Sequence, residues 1–260
     1  MVQSLQLAHR LEDLNVLLIG AGKIASTRFP KLLPTGCKLT VVAREIDETF
    51  YESFVSGQLE GTNEGWSSAK QEIYRIVRDE FKTEYLELEN YWHIILVCIS
   101  DIGRSESIYS ECILKYGESQ LINVADVPKF CNFYFGSNLN LADDKLQILV
   151  SSNGASPRFT ALVRNEIAKT FDDDLELSIA MTKLKELRSE IRRLTNASRE
   201  KTDIQFRMEW VRRCTDIYGL RYCHLLDVES LLELFSEMYS NRSLTFPPKD
   251  EMLTKYLSVN

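Results

Sequence analysis

The chain has no run of about 18 or more uninterrupted apolar residues, so it carries no membrane-spanning helix of ordinary length. Its opening, Met1-Val2-Gln3-Ser4-Leu5, lacks the basic stretch, apolar core and small-residue cleavage site of a secretory leader. The expectation is a cytoplasmic protein with no membrane partner. Glycine (11) and proline (6) are sparse in 260 residues, and 44% hydrophobic with 27% charged residues is an ordinary globular mixture, which excludes collagen-like and disordered chains. Positive charge is also short: the net charge is −7, with 14 basic against 21 acidic side chains in residues 1–150 and 17 of each in residues 151–260. A chain without a basic stripe has little to neutralise phosphates, so nucleic acid is excluded as a partner. The six cysteines (Cys37, Cys98, Cys112, Cys131, Cys214, Cys223) are widely spaced and read as reduced thiols, not a disulfide framework. No Cys-x-x-Cys or His-x-x-x-His spacing occurs, and Cys214…Cys223-His224 reads as packing, so no metal site is expected.

What is present is an alternation of buried strands and helices. Asn15–Ile19 is a short apolar run ending at Gly20, the pattern of a strand buried on both faces of a parallel sheet. A helix over 23–33 and a strand over 38–43 complete a βαβ unit. Residues 56–68 read as a loop, and Ile73, Val77, Phe81, Tyr85 and Leu88 at helical spacing predict an amphipathic helix over 69–88. The strongest buried strand lies within 92–99, followed by a helix over 102–116 and a strand over 121–125. The fold class is therefore α/β, a Rossmann-type doubly wound parallel sheet. Beyond Phe135 the character changes. A strand over 146–152 precedes Ser156-Pro157, an N-cap with proline at the first helical position that opens a helix to about Thr170. Further helices are expected over 173–194, 199–218, 227–240 and 249–257. The division is 1–135 for the nucleotide-type domain, 136–172 for a small linking unit and 173–260 for a helical domain.

Gly20-Ala21-Gly22-Lys23-Ile24-Ala25 fits G-x-G-x-x-G/A directly after a strand. Gly20 permits the tight turn, Gly22 lets the backbone approach a pyrophosphate, and small Ala25 allows close helix packing; the amides of the helix start, at Lys23 and Ile24, face the anion. Glu45 stands just past the second strand, where a carboxylate accepts hydrogen bonds from ribose hydroxyls and repels a 2′-phosphate, so NAD is favoured over NADP; Arg44 beside it weakens that preference. A glycine turn in a sheet that has lost its cofactor is the alternative.

Asn123-Val124-Ala125-Asp126 places a carboxylate at the carboxyl end of a strand, the edge where open α/β sheets bind ligands, which makes Asp126 a candidate base. Local sequence also reads it as an Asp capping a turn before Pro128. His9, His93 and His224 occupy structural settings, and no serine or cysteine pairs with a histidine at a recognisable elbow, so nucleophilic hydrolysis has no support. The arginines at 188, 192, 193, 207, 212 and 213 fall on expected helices near acidic neighbours and read as solvated faces.

Leu17-Leu18-Ile19-Gly20-Ala21-Gly22, Pro34-Thr35-Gly36-Cys37-Lys38-Leu39-Thr40, Asn123-Val124-Ala125-Asp126, Phe133-Tyr134-Phe135-Gly136, Ser151-Ser152-Asn153-Gly154-Ala155-Ser156-Pro157-Arg158-Phe159 and Arg212-Arg213-Cys214-Thr215-Asp216 together resemble the fungal bifunctional siroheme synthases, along the whole chain. The Ser-Pro block and the Val-Ala-Asp segment are more specific than the glycine fingerprint. The resemblance implies NAD-dependent oxidation of precorrin-2 to sirohydrochlorin, followed by insertion of ferrous iron, a substrate and not a resident cofactor. It also implies a homodimer, with 136–172 as dimerisation region and the tetrapyrrole in a cleft between the parts. By the same resemblance Asp126 serves both activities and Ser156 lies near the substrate. Ala25 and Glu45 depart mildly from a third Gly and an Asp common in relatives.

The chemistry is compatible. Oxidation removes a hydride and a proton, so NAD takes the hydride and a nearby carboxylate the proton. Iron insertion asks for transient handling, and a strong protein chelate would compete with the product. The substrate bears eight carboxylates, so local cations must receive them; Arg104, Lys129 and Arg158 are the candidates, with ordinary surface cations as the alternative for each. Two other functions stay open: a dehydrogenase without chelatase activity, and a non-catalytic NAD-binding dimeric sensor.

Overall fold

The computed structural model describes residues 4–46, 60–171 and 176–258. The chain divides into two compact units, Met1–Phe135 and Gly136–Asn260, each with its own core.

The first unit is built on a six-stranded sheet. Its strands are β1 (Asn15–Ile19), β2 (Lys38–Val42), β3 (Gly61–Thr62), β4 (Arg75–Val77), β5 (Ile94–Val97) and β6 (Leu121–Val124), in the order β3-β4-β2-β1-β5-β6. All pairings are parallel except β3 on β4. The register sets Ile19 beside Val42 and Val97, Val42 beside Val77, and Val97 beside Val124. These strands therefore end level, and the turns that leave them share one edge. The chain order reverses on either side of β1, which is where open α/β sheets bind nucleotides.

Continuous apolar strands need cover on both faces. On one face Val16, Leu18, Leu39, Val41 and Leu96 pack with Ala25, Phe29 and Leu32 of α1 (Lys23–Ser26) and α2 (Phe29–Leu32). On the other, Leu17, Ile19, Ile95, Val97, Ile122 and Val124 pack with Ile108 and Cys112 of α3 (Ile102–Tyr116). The α3 start is capped by Asp101, whose carboxylate accepts from the Arg104 N–H at 2.9 Å. The doubly wound sheet is thus as the alternation implies.

Two local expectations fail in this unit. The helix expected over 23–33 is broken into α1, α2 and a 3-10 turn at Leu33–Thr35. Ser26 and Thr27 turn their hydroxyls back onto the Lys23 and Ile24 carbonyls, each at 2.7 Å, and Pro30 has no N–H to continue the ladder and would clash with the carbonyl four residues back. The helix over 69–88 does not form. Gln71 takes a left-handed backbone (φ 55°), Arg75–Val77 joins β2 as β4, and Thr83–Glu87 is a 3-10 turn. The run Ile73-Tyr74-Arg75-Ile76-Val77 is rich in β-branched and aromatic side chains, and that preference outweighs a helical spacing set by residues from three separate elements. Within the loop expected over 56–68, residues 56–59 lie outside the described residues and Gly61–Thr62 forms β3.

The second unit begins with an antiparallel hairpin, β7 (Ser137–Leu141) and β8 (Leu146–Val150), and α4 (Pro157–Thr170) packs on it. β7 has no counterpart among the expected strands; its Ser-Asn-Leu-Asn-Leu alternation is nevertheless the period-two pattern of a half-buried strand. Then come α5 (Leu177–Leu194), α6 (Lys201–Tyr222), α7 (Val228–Ser240) and α8 (Lys249–Lys255). α6 runs four residues past its expected end, but Gly219 breaks its helical geometry (φ 57°, ψ −165°). Its Trp210 is fully buried against Phe235, and its indole N–H meets the Met238 sulfur at 3.2 Å.

Candidate functional site at the sheet edge

The edge beyond β1 is made by glycine. Gly20 has φ +97°, and a Cβ added there would stand 2.4 Å from the Cys98 carbonyl oxygen of the chain leaving β5. Only glycine fits that turn. Gly22 is its opposite: a Cβ there meets nothing within 4 Å, so the backbone presents open space. Gly22 is the N-cap of α1, and the first intrahelical donor is the Ser26 N–H, which donates to the Gly22 carbonyl at 3.1 Å. The N–H groups of Lys23, Ile24 and Ala25 therefore precede the helical ladder. Lys23 and Ile24 are exposed and Ala25 is fully buried beneath them. Because α1 is a single turn, these amides and not a long helix dipole are what an anion would meet. A cradle with no Cβ in it and unpaired amides around it fits a dinucleotide pyrophosphate.

Glu45 is exposed, three residues beyond the end of β2. Its neighbour Arg44 pairs with Glu80 at 2.7 Å. The positive charge that weakened the reading of Glu45 is thus directed to another carboxylate, although at the surface such a pair is worth little.

Asp126 follows Ala125, whose N–H still belongs to the sheet, donating to the Val97 carbonyl at 2.8 Å. Asp126 itself turns away with φ +60° and is exposed. Aspartate is one of the few residues that visit this conformation at modest cost. Among the described residues its carboxylate makes no hydrogen bond or ion pair. The turn is held from behind. Buried Asn123 donates to the Phe133 carbonyl at 3.0 Å, Asn132 accepts from the Ile122 N–H at 3.0 Å, and the Cys131 thiol bridges the Val124 N–H and carbonyl at 3.3 and 3.1 Å. Asn132 and Cys131 occupy backbone groups of β6, the edge strand, that would otherwise lie open, and Asn123 reaches out from β6 to hold the following segment.

The Cys98 thiol marks the middle of the edge. Burial pushes it up to about 11, the Arg28 guanidinium beside it pulls it down, and the Asp126 carboxylate pushes it up. The Gly20 turn closes on the Cys98 backbone, and the charges of Arg28 and Asp126 both act on the Cys98 thiol; Arg28 is the group that motif reasoning missed. Its position two residues after α1 carries no local signal, though Phe135, on which it stacks at 4.6 Å, belongs to a motif the sequence singles out.

The other cations differ. Arg104 is tied to the Phe81 carbonyl (2.7 Å), Ser107 (3.2 Å) and Glu111 (3.1 Å), so its fork already has acceptors. Lys129 lies over the Phe130 ring at 4.4 Å and 3.7 Å from Glu106. In the second unit Ser156 caps α4, accepting from the Phe159 N–H at 3.3 Å, while its own N–H donates to the Ser152 hydroxyl at 3.0 Å. Arg158 is exposed on the first turn of that helix. Among the described residues no group of three or more His, Cys, Asp or Glu could hold a metal ion, and no helix is long and apolar enough to cross a membrane.

An NAD(P)-binding family matches residues 7–137, the central region of sirohaem biosynthesis proteins matches 143–170, and their C-terminal region matches 175–245. The siroheme biosynthesis protein of Saccharomyces cerevisiae is 46% identical over 99% of this chain and 100% of its own length. This chain belongs to the siroheme biosynthesis protein family. The Schizosaccharomyces pombe siroheme biosynthesis protein is 27% identical over 95% of this chain and 80% of its own, and a siroheme synthase of Photorhabdus laumondii is 27% identical over 58% of this chain and 27% of its own. A solved precorrin-2 dehydrogenase shares the fold, with a TM-score of 0.60 and 22% identity, covering 90% of this chain and all of that one. The family suggested by the motifs is thus the family found, and the protein is an NAD(P)-using enzyme of siroheme biosynthesis.

Proposed function

We propose that this chain oxidises precorrin-2 to sirohydrochlorin with NAD as hydride acceptor and then inserts ferrous iron, taken as a second substrate, to give siroheme. The observation that carries the reading is one sheet edge on which a glycine cradle without a Cβ stands beside an exposed carboxylate with no partner among the described residues. Bound at the cradle, the cofactor supplies a place for the hydride. Gly20 keeps the turn tight, Gly22 leaves room, and the amides of Lys23, Ile24 and Ala25 receive the pyrophosphate. Glu45 holds the ribose hydroxyls and repels a 2′-phosphate, which favours NAD over NADP.

Asp126 takes the proton that leaves with the hydride. Loss of hydride makes the macrocycle cationic and its protons more acidic, so a weak base is enough. The same carboxylate receives the two N–H protons that ferrous iron displaces from the pyrrole nitrogens one at a time, passing each to solvent from its exposed position before taking the next. Arg158, Lys129 and Ser156 serve the substrate's carboxylates. Arg104 holds the loop at Phe81 in place, and any hold on substrate is secondary to that. The three-part division at 1–135, 136–172 and 173–260 is kept, with the middle part joining two subunits. Exposed Phe159 (64%) and Leu162 (48%) on α4 support that dimer. The protein works in the cytoplasm.

The test is an anaerobic absorbance assay with precorrin-2 and NAD, followed by ferrous iron. NADH and sirohydrochlorin should appear together, and iron insertion should outrun the spontaneous reaction. No gain over the spontaneous rate would remove the chelatase half, and NAD binding without NADH formation would leave a sensor.

A further inference from the structure

Arg28 stands out among the cations of this molecule. It is the N-cap of α2, where the chain turns between two short helices, and its own N–H donates to the Ala25 carbonyl at 2.8 Å. Its guanidinium carbon lies 4.6 Å from the centre of the Phe135 ring, a cation–π distance that fixes the plane of the group. Its Nε is buried and has no hydrogen-bond acceptor. Its other neighbour is the Cys98 thiol, which hydrogen-bonds the guanidinium but is a weak and uncharged acceptor at neutral pH because burial holds it up at about 11. Arg75, Arg104, Arg212, Arg213 and Arg242 each meet a carboxylate within 3.1 Å. Arg28 meets none among the described residues.

A buried guanidinium nitrogen without an acceptor is costly, and native structures keep such a group where something else completes it. The missing partner is an oxyanion, and a planar fork suits a carboxylate best. Two sources exist at this edge: a substrate carboxylate and a cofactor phosphate. Arg28 lies over Phe135 and beside Cys98, which follows β5 and also feels the charge of Asp126 just past β6, whereas the open space for the pyrophosphate is at Gly22. That placement favours the carboxylate.

We propose that Arg28 is a substrate-binding residue that receives one peripheral carboxylate of the tetrapyrrole and so sets the macrocycle against Asp126. The proposal rests on the tetrapyrrole reading of this edge. Phe135 is the platform, and the Asn123 hydrogen bond to Phe133 holds the segment that carries it.

The test compares Arg28→Met, which keeps the apolar stem on Phe135, and Arg28→Lys, which keeps the charge without the fork. Both are checked by thermal melting, then assayed for sirohydrochlorin binding by absorbance, KM for precorrin-2 and Kd for NAD. Arg28→Met should weaken sirohydrochlorin binding and raise KM about tenfold, Arg28→Lys should recover part of the loss, and NAD affinity should stay unchanged. Folded variants with unchanged sirohydrochlorin affinity and KM would overturn the proposal, as would a loss confined to NAD. If the wild-type protein bound sirohydrochlorin in an Arg28-dependent way yet made no NADH from precorrin-2, the dehydrogenase reading would fall and the Arg28 assignment would stand.

Discussion

The two turns that close the sheet edge work in opposite ways. At Gly20 the chain functions by what it lacks: positive φ and a carbonyl 2.4 Å from where a Cβ would sit forbid any side chain. At Asp126 the backbone is again left-handed, but the side chain is exposed, and it is the group we propose as the base. A glycine would fit the second turn and be useless there. A left-handed backbone at an exposed carboxylate fits the proposed role, since functional sites commonly hold local strain.

Substitutions at the two turns should have opposite consequences. The largest effect is expected from Gly22→Asp, which fills the cradle with bulk and like charge: NADH formation should vanish while iron insertion persists and the melting temperature hardly moves. Loss of both activities with the fold intact would mean that the two reactions share more than the Asp126 edge. Next comes Gly20→Ala, where strain and a backbone clash should cost about 3 kcal/mol or more in chemical denaturation. A loss under about 1 kcal/mol would show that the turn at Gly20 has room to spare. Asp126→Gly should stay within about 1 kcal/mol of wild-type stability, since relief of the left-handed backbone offsets the greater freedom of the unfolded chain. A larger loss would give the carboxylate a structural role. The smallest effect lies in the other unit, where Ser156→Ala should remove a helix cap worth about 1 kcal/mol, and a shift in KM beyond what that destabilisation explains would support a place at the substrate.

Strands β1, β2, β5 and β6 were legible because each is a short, mostly apolar run, and the glycine turn and Asp126 because motif and strand end coincide. The region between β2 and β5 was not, because Ile73, Val77 and Phe81 imitate a helical stripe while lying in a loop, a strand and a strand-to-turn connection. The long helix after Gly22 also failed: its apolar spacing continues through Leu33, but side-chain hydroxyls at Ser26 and Thr27 and the ring of Pro30 interrupt it. In the second unit Ser156-Pro157 announced α4 to the residue. Arg28 escaped notice because its stacking partner, Phe135, is 107 positions away and the missing acceptor is visible only in three dimensions.

In the function proposed here a single carboxylate, Asp126, serves both reactions at the edge that carries the glycine cradle. Asp126→Asn keeps the side chain's size and its tolerance of the left-handed turn while removing the base, so it isolates the chemistry. In anaerobic assays this variant should bind NAD as the wild type does, yet oxidise precorrin-2 and insert ferrous iron at least about 100-fold more slowly. Wild-type rates for both steps in a folded Asp126→Asn protein would contradict the account.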